Sequence, residues 1–180
     1  FSGARQGELL GLKWGDLDWE KSQIHIQRTF NKGRFFNTKT KGSNRKIDLG
    51  PKVIIELKKW KLACPKSELN LIFPNGQGNP MNFSNMMNRH FFPALKAAEL
   101  PKMRFHDIRH TYARLMIDQG ENIKYIQSQL GHSSPTVTWN VYAHLMKPVN
   151  QEAANRLEDK IFGTGHNLVT KLKRGSHNEA

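Results

Sequence analysis

Cysteine is almost missing from this chain of 180 residues: Cys64 stands alone and excludes any internal disulfide. That suits a reducing, cytoplasmic compartment, where Cys64 is expected to be buried as a small hydrophobe. Long apolar runs are missing as well. Nothing approaches the ~18 residues of a membrane span, and no secretory leader is visible, so we expect no membrane partner. The third scarcity is acid: 15 Asp and Glu stand against 28 Lys and Arg, a formal net charge of +13. Residues 31–46 contain no acid at all, while Lys32, Arg34, Lys39, Lys41, Arg45 and Lys46 crowd that stretch. Such an excess favours polyanions through counterion release. Basic membrane-surface proteins share the composition, but no strongly amphipathic basic helix accompanies it here, which leaves nucleic acid. An initial Met is also lacking; the chain begins Phe-Ser-Gly-Ala-Arg, and we expect residues upstream of it. What is present, 37% hydrophobic and 24% charged residues, suffices for one globular domain with a core.

Periodicity predicts a helix over 4–13, with Leu9, Leu10 and Leu12 on its apolar side and Arg5 and Glu8 one turn apart. Trp14-Gly15-Asp16-Leu17-Asp18 breaks it. Ile24 and Ile26 alternate with polar residues as in a half-buried strand. A turn at Asn31-Lys32-Gly33 leads to a second strand over 35–40, and a turn at 41–44 leads to a third over 45–49. Pro51 occupies a first helical position, with Val53, Leu57 and Trp60 following at helical spacing. Leu71-Ile72-Phe73 runs into a Pro-Asn-Gly turn. Phe83, Met86, Met87, His90 and Phe91 form another helical stripe, which Pro93 should break or kink. Helices are expected over 107–119 and 122–130, closed by Gly120 and Gly131, then after Ser134-Pro135, and over 148–160. The class is α+β, mostly helical, with a small three-stranded antiparallel edge sheet. We expect residues 1–162 to form the domain and 163–180 a flexible tail.

Several residues could carry chemistry. His106 and Arg109 lie three apart at a helix start, where free N–H groups and the dipole favour anions. Taken alone, such a pair is more often a surface or capping feature. His106 and His110 have the spacing of a zinc pair, yet the Glu of a zinc protease is absent and Arg109 would repel a cation; no metal is expected. His132 follows a helix cap at Leu130-Gly131. Tyr142, at an ordinary pKa near ~10, is a poor nucleophile until cations and a base assist it. Lys39 and Lys41 are two apart and would share a strand face. Arg5 and Glu8 could be a plain surface ion pair.

Taken in order, these blocks closely resemble the tyrosine recombinase (phage integrase) family. The matching stretches are Ser2-Gly3-Ala4-Arg5-Gln6-Gly7-Glu8-Leu9 through Trp14-Gly15-Asp16-Leu17, then Lys39-Thr40-Lys41. Phe105-His106-Asp107-Ile108-Arg109-His110-Thr111 follows, and then Leu130-Gly131-His132 running on to Tyr142-Ala143-His144. The likeness covers about residues 1–147. It implies the catalytic domain of a site-specific DNA recombinase that cuts and rejoins strands through a 3′-phosphotyrosine, without a cofactor. Arg5 and Arg109 would clamp the scissile phosphate and His132 would add a hydrogen bond. Lys39, or alternatively Lys41, would protonate the leaving 5′ oxygen, and His106 would assist deprotonation of Tyr142. Glu8 and His110 would support the arginines and the helix, and Lys32, Arg34, Lys41, Arg45 and Lys46 would contact DNA. The partners implied are double-stranded DNA, three further copies in a tetramer on synapsed DNA, and accessory DNA-bending or directionality proteins. A bacterial or phage origin and a nucleoid location follow from the same resemblance. Family members carry a DNA-gripping domain ahead of the catalytic one, so the chain is expected to be truncated at its N-terminus. The rivals are a type IB topoisomerase-like strand transferase and a non-catalytic DNA-binding fragment.

Overall fold

A computed structural model describes residues 2–38, 42–132 and 151–162. Lys39, Lys41, Tyr142, the helix expected after Ser134-Pro135 and the expected tail lie outside the described residues. The chain divides into two units, 1–145 and 146–180.

In the first unit, α1 is one short helix, Gln6–Leu10, rather than the longer one expected over 4–13. The backbone turns out at Gly11, where a side chain would press on the Phe30 amide. Leu12 is buried by tertiary pairing instead: its carbonyl accepts from the Ile72 amide at 2.9 Å, and Lys13 bridges Leu71. A 3₁₀ turn, Trp14–Asp16, follows.

Five strands come next: β1 Leu17–Asp18, β2 Gln23–Ile26, β3 Arg28–Asn31, β4 Arg34–Asn37 and β5 Arg45–Asp48. They form an antiparallel three-stranded sheet, β1-β2-β5, and a separate β3-β4 hairpin. The expected count of three strands in the sheet holds, but its membership differs. The described part of the segment expected over 35–40 does not join it; residues 35–37 belong to β4 and pair with β3, which carries no hydrophobic alternation to announce it. In the sheet, Ile24 faces Ile47 and Ile26 faces Arg45. Ile26 and Ile47 are fully buried, each contributing about 1.5–3 kcal/mol relative to exposure.

Helix α2, Pro51–Ala63, starts on Pro51 as expected. It lays Val53, Leu57 and Trp60 on the core of Leu12, Leu17, Ile24, Ile47 and Ile72. Trp60 Nε1 donates to the Ile72 carbonyl at 2.6 Å. Cys64 is half-buried, its Sγ against the carbonyls of Pro65, Leu71 and Ile72. The stripe from Phe83 is α3, Phe83–Met86, then a π-helical turn Met87–Phe91, then α4, Phe92–Ala97. Pro93 cannot donate a backbone hydrogen bond, and the widened turn just ahead of it absorbs the misfit without ending the helix.

Helices α5, Phe105–Asp118, and α6, Ile123–Leu130, pack through Ala113, Ile126 and Leu130. The Asn122 side chain caps α6 by accepting from the Lys124 amide at 2.8 Å. Gly131 ends it at φ +64°. In the second unit, α7 spans Gln151–Phe162, close to the helix expected over 148–160. No helix among the described residues is long and apolar enough to cross a membrane.

Candidate active site

Three arginines meet at the C-terminal end of α6, where the last carbonyls of a helix have no partner in the helix itself. Arg45 Nε donates to the Gln129 carbonyl at 2.7 Å, Arg109 Nη2 donates to the Leu130 carbonyl, and Arg5 Nη2 donates to the Gly131 carbonyl at 3.1 Å. Consecutive carbonyls thus each hold a different guanidinium, and the negative end of the helix dipole faces all three.

The arginines come from distant parts of the chain. Arg5 is the N-cap of α1, fixed because its amide donates to Glu8 Oε2 at 2.8 Å. Arg109 lies one turn into α5, whose start is set by a capping pair: Arg104 N donates to Asp107 Oδ2 at 2.9 Å. Arg109 also donates from Nη1 to the Gly3 carbonyl. Gly3 has φ +58°, and a Cβ there would lie 2.6 Å from Leu130 Cδ2, so only glycine permits this approach.

Glu8, expected as a supporting residue, is the counterion. Its Oε1 accepts from Arg5 Nη1 at 2.9 Å and Arg45 Nη1 at 3.0 Å, and its Oε2 from Arg45 Nη2 at 2.8 Å. It is 4% exposed, so the pair is no surface ornament. Burial pushes the Glu8 carboxyl upward, but hydrogen bonds and charge from Arg45, then Arg5, more than offset it and hold it below its ordinary value.

Three guanidinium groups against one carboxylate leave the cluster with a net charge of two positive units. The crowding shows in Arg109, lowered to about 10 by burial and then by the charges of Arg5 and Arg45, against the opposing pull of Glu8. It stays protonated at neutral pH, and an anion would relieve the repulsion. His132, half-buried just past Gly131, is lowered to about 4 by burial and then by Arg109, Arg5, Arg45 and His110. His106 is lowered too, by burial first and then by His110, Arg109, Arg104 and Arg5. Both imidazoles are therefore neutral at pH 7, able to accept on one nitrogen and donate from the other.

Of the expected site residues, Arg5, His106, Arg109 and His132 come together, with Glu8 beneath them. His110 sits edge-to-face on His106, ring centroids 4.8 Å apart. Lys39 and Lys41 lie outside the described residues, but the turn that follows them reaches the site: a Cβ on Gly131 would lie 2.7 Å from the Gly42 carbonyl oxygen. Tyr142 lies outside the described residues. Lys32, Arg34 and Lys46 are exposed. Arg45 does not belong with these outward cations. It is 8% exposed and engaged with Glu8 and Gln129, because strand alternation puts it on the inward face of β5 beside Ile47. The period-two spacing of Arg45 and Ile47 carried that signal; nothing in the sequence marked Gln129, whose side chain meets both the amide and the carboxylate of Asp48.

A phage integrase family model matches residues 1–148. A tyrosine recombinase XerC-like protein of Caldanaerobacter subterraneus subsp. tengcongensis is 33% identical over 183 residues, covering 88% of this chain and 46% of the relative. The ICEBs1 integrase of Bacillus subtilis is 32% identical, covering 89% of this chain and 47% of the relative. Among solved structures, the Tn1549 transposon integrase in complex with circular intermediate DNA superimposes with a TM-score of 0.73 at 29% identity, covering 87% of this chain and 56% of that one. The chain spans about half the length of the curated relatives it matches. With the match running from the Arg5 helix past the Gly131 cap, the chain belongs to the phage integrase family.

Proposed function

We propose that this chain carries the catalytic machinery of a site-specific DNA recombinase, cleaving and rejoining strands through a 3′-phosphotyrosine. The observation that supports it most is the arginine cluster, two positive charges in excess beside neutral His132. A phosphodiester carries one negative charge and its pentacoordinate transition state carries two, so the cluster matches the transition state better than the ground state. Arg5, with its side chain 41% exposed, and Arg109, through the N–H groups it does not give to the Gly3 and Leu130 carbonyls, would donate to the non-bridging oxygens. His132 adds a neutral donor.

On this reading, Tyr142 Oη attacks phosphorus while neutral His106 accepts its proton, and the 5′ oxygen leaves with a proton from Lys39, or from Lys41 in its place. The phosphotyrosine conserves the bond energy, so a 5′ hydroxyl from a partner strand rejoins it without ATP. Residues 1–162 would hold this domain. Lys32, Arg34 and Lys46, all exposed, would meet DNA phosphates, which position a protein without reading sequence. A tetramer on paired DNA, accessory DNA-bending or directionality proteins, and a site of action in the bacterial cytoplasm belong to the same proposal.

The test is a nicked suicide duplex resolved on a denaturing gel. The wild-type chain should form a covalent adduct that survives EDTA, and Tyr142→Phe should form none while still binding duplex. Binding without any adduct would make the chain a DNA-binding fragment. Relaxation of supercoils without strand exchange would favour a type IB topoisomerase-like activity.

A further inference from the structure

We infer that Arg45 is a positioning residue of the phosphate pocket, holding the helix that presents Arg5 in register with the helix end that presents His132. This rests on the reading of the site as a phosphate pocket. Arg45 is committed to the protein rather than open to DNA: its guanidinium makes four hydrogen bonds, to Glu8, Gln129 and Ser43, whereas Arg109, also buried, makes two among the described residues. Its stem is walled by the sheet: Ile47 shares its face, its cross-strand neighbour is Ile26, and both isoleucines are fully buried.

From that fixed stem one guanidinium reaches three segments. Nη1 and Nη2 form a fork on the two oxygens of Glu8, at 3.0 and 2.8 Å. Nε donates to the Gln129 carbonyl at 2.7 Å. Nη1 also reaches the Ser43 carbonyl at 3.4 Å, in the turn that follows the candidate lysines. Gly131 rests directly on this group, since a Cβ there would lie 2.7 Å from Nη1. Glu8 passes the constraint to Arg5 through the 2.9 Å ion pair, and Gln129 passes it to the Gly131-His132 loop.

Without Arg45, Glu8 would keep only its Arg5 partners and draw that fork off the Gly131 carbonyl. A lysine preserves the charge but cannot make the fork and the Nε contact together. Shifts of this size matter, because misplacing a reacting group by ~1 Å can cost ~10²-fold in rate.

The experiment compares wild type, Arg45→Lys and the double variant Glu8→Gln/Arg45→Met. The readouts are melting temperature, affinity for inorganic phosphate, duplex affinity, and adduct formation at saturating duplex. Arg45→Lys should melt near wild type and bind duplex within about two-fold, since the exposed cations dominate that affinity. It should bind inorganic phosphate more weakly and form adduct roughly ten-fold or more slowly. The double variant, which removes the buried charge pair as a unit, should recover folding but not phosphate binding. Wild-type phosphate affinity in Arg45→Lys, or in a well-folded double variant, would overturn the proposal and leave Arg45 only as the neutraliser of Glu8. A duplex affinity that falls in step with the adduct rate would also overturn it. Absence of adduct from the wild type would refute the recombinase reading separately, since phosphate binding still decides the role of Arg45.

Discussion

The cluster at the end of α6 and the β3-β4 hairpin spend the same residue type in opposite ways. In the cluster, Arg45 and Arg109 are nearly inaccessible, and each fork is occupied by a carboxylate or a backbone carbonyl. In the hairpin, Lys32 and Arg34 stand in solvent at a two-residue turn, Lys32-Gly33, with both residues at positive φ. Aromatic contacts stiffen its turn end, where Phe30 and Phe35 have ring centroids 4.9 Å apart and Lys13 lies 5.6 Å over the Phe35 ring, while the ion pair of Arg28 with Asp16 sits at its base. A buried, pre-paired arginine is rigid and suits a transition state. An exposed cation is mobile and suits a phosphate backbone met in many registers. Position in the fold, not residue type, separates chemistry from grip.

Removing Glu8 should break the comparison most severely. Glu8→Ala leaves Arg45 buried without its counterion, and loss of one partner from such a pair costs about 3–5 kcal/mol, measurable by urea unfolding. Arg109→Lys should fold but lose ~10²–10³ in adduct formation rate, because an ammonium lacks the paired planar donors. Gly131→Ala should cost about 1–3 kcal/mol, from its left-handed backbone and the contact with Arg45. A smaller effect concerns pH. Folded His132 titrates at about 4 against an ordinary 6.5, so between those values the unfolded chain binds a proton that the folded chain refuses. Stability should be complete above that window and decline as pH falls through it, and His132→Asn should flatten this part of the melting profile. The hairpin should respond least. Arg34→Ala should leave folding and the adduct rate at low salt unchanged while reducing the salt slope of duplex binding by ~1.

Much of the site was legible. Arg5, His106, Arg109 and His132 could be named in advance through the resemblance to the phage integrase family, which reads their order along the chain; each local pattern alone fits a surface pair, a helix cap or a loop histidine as well. The end of α6 was legible because Gly131 acts within a few residues of itself, while the capping roles of Asp107 and Asn122 emerge from the structure. The hairpin was harder. Strand β3 reads Arg-Thr-Phe-Asn, half-buried up to the exposed Asn31, so no alternation marks it, and only pairing with β4 makes it a strand. The early end of α1 was hidden likewise, since Leu12 keeps helical spacing yet takes its partner from Ile72.

The sequence by itself determined the charge and, through interactions within about one turn of helix, the helix boundaries around His106 and His132; the order of its motifs named the groups that could hold a phosphate. Tertiary structure alone decided that Arg5, Arg45 and Arg109 fasten to consecutive carbonyls of one helix end, and that Glu8 lies between two of them. Those contacts join residues as far apart as Arg5 and Gly131, 126 positions along the chain. A guanidinium's role there follows from which unpaired carbonyl or carboxylate the folded backbone brings within hydrogen-bond reach, and no local pattern encodes that distance.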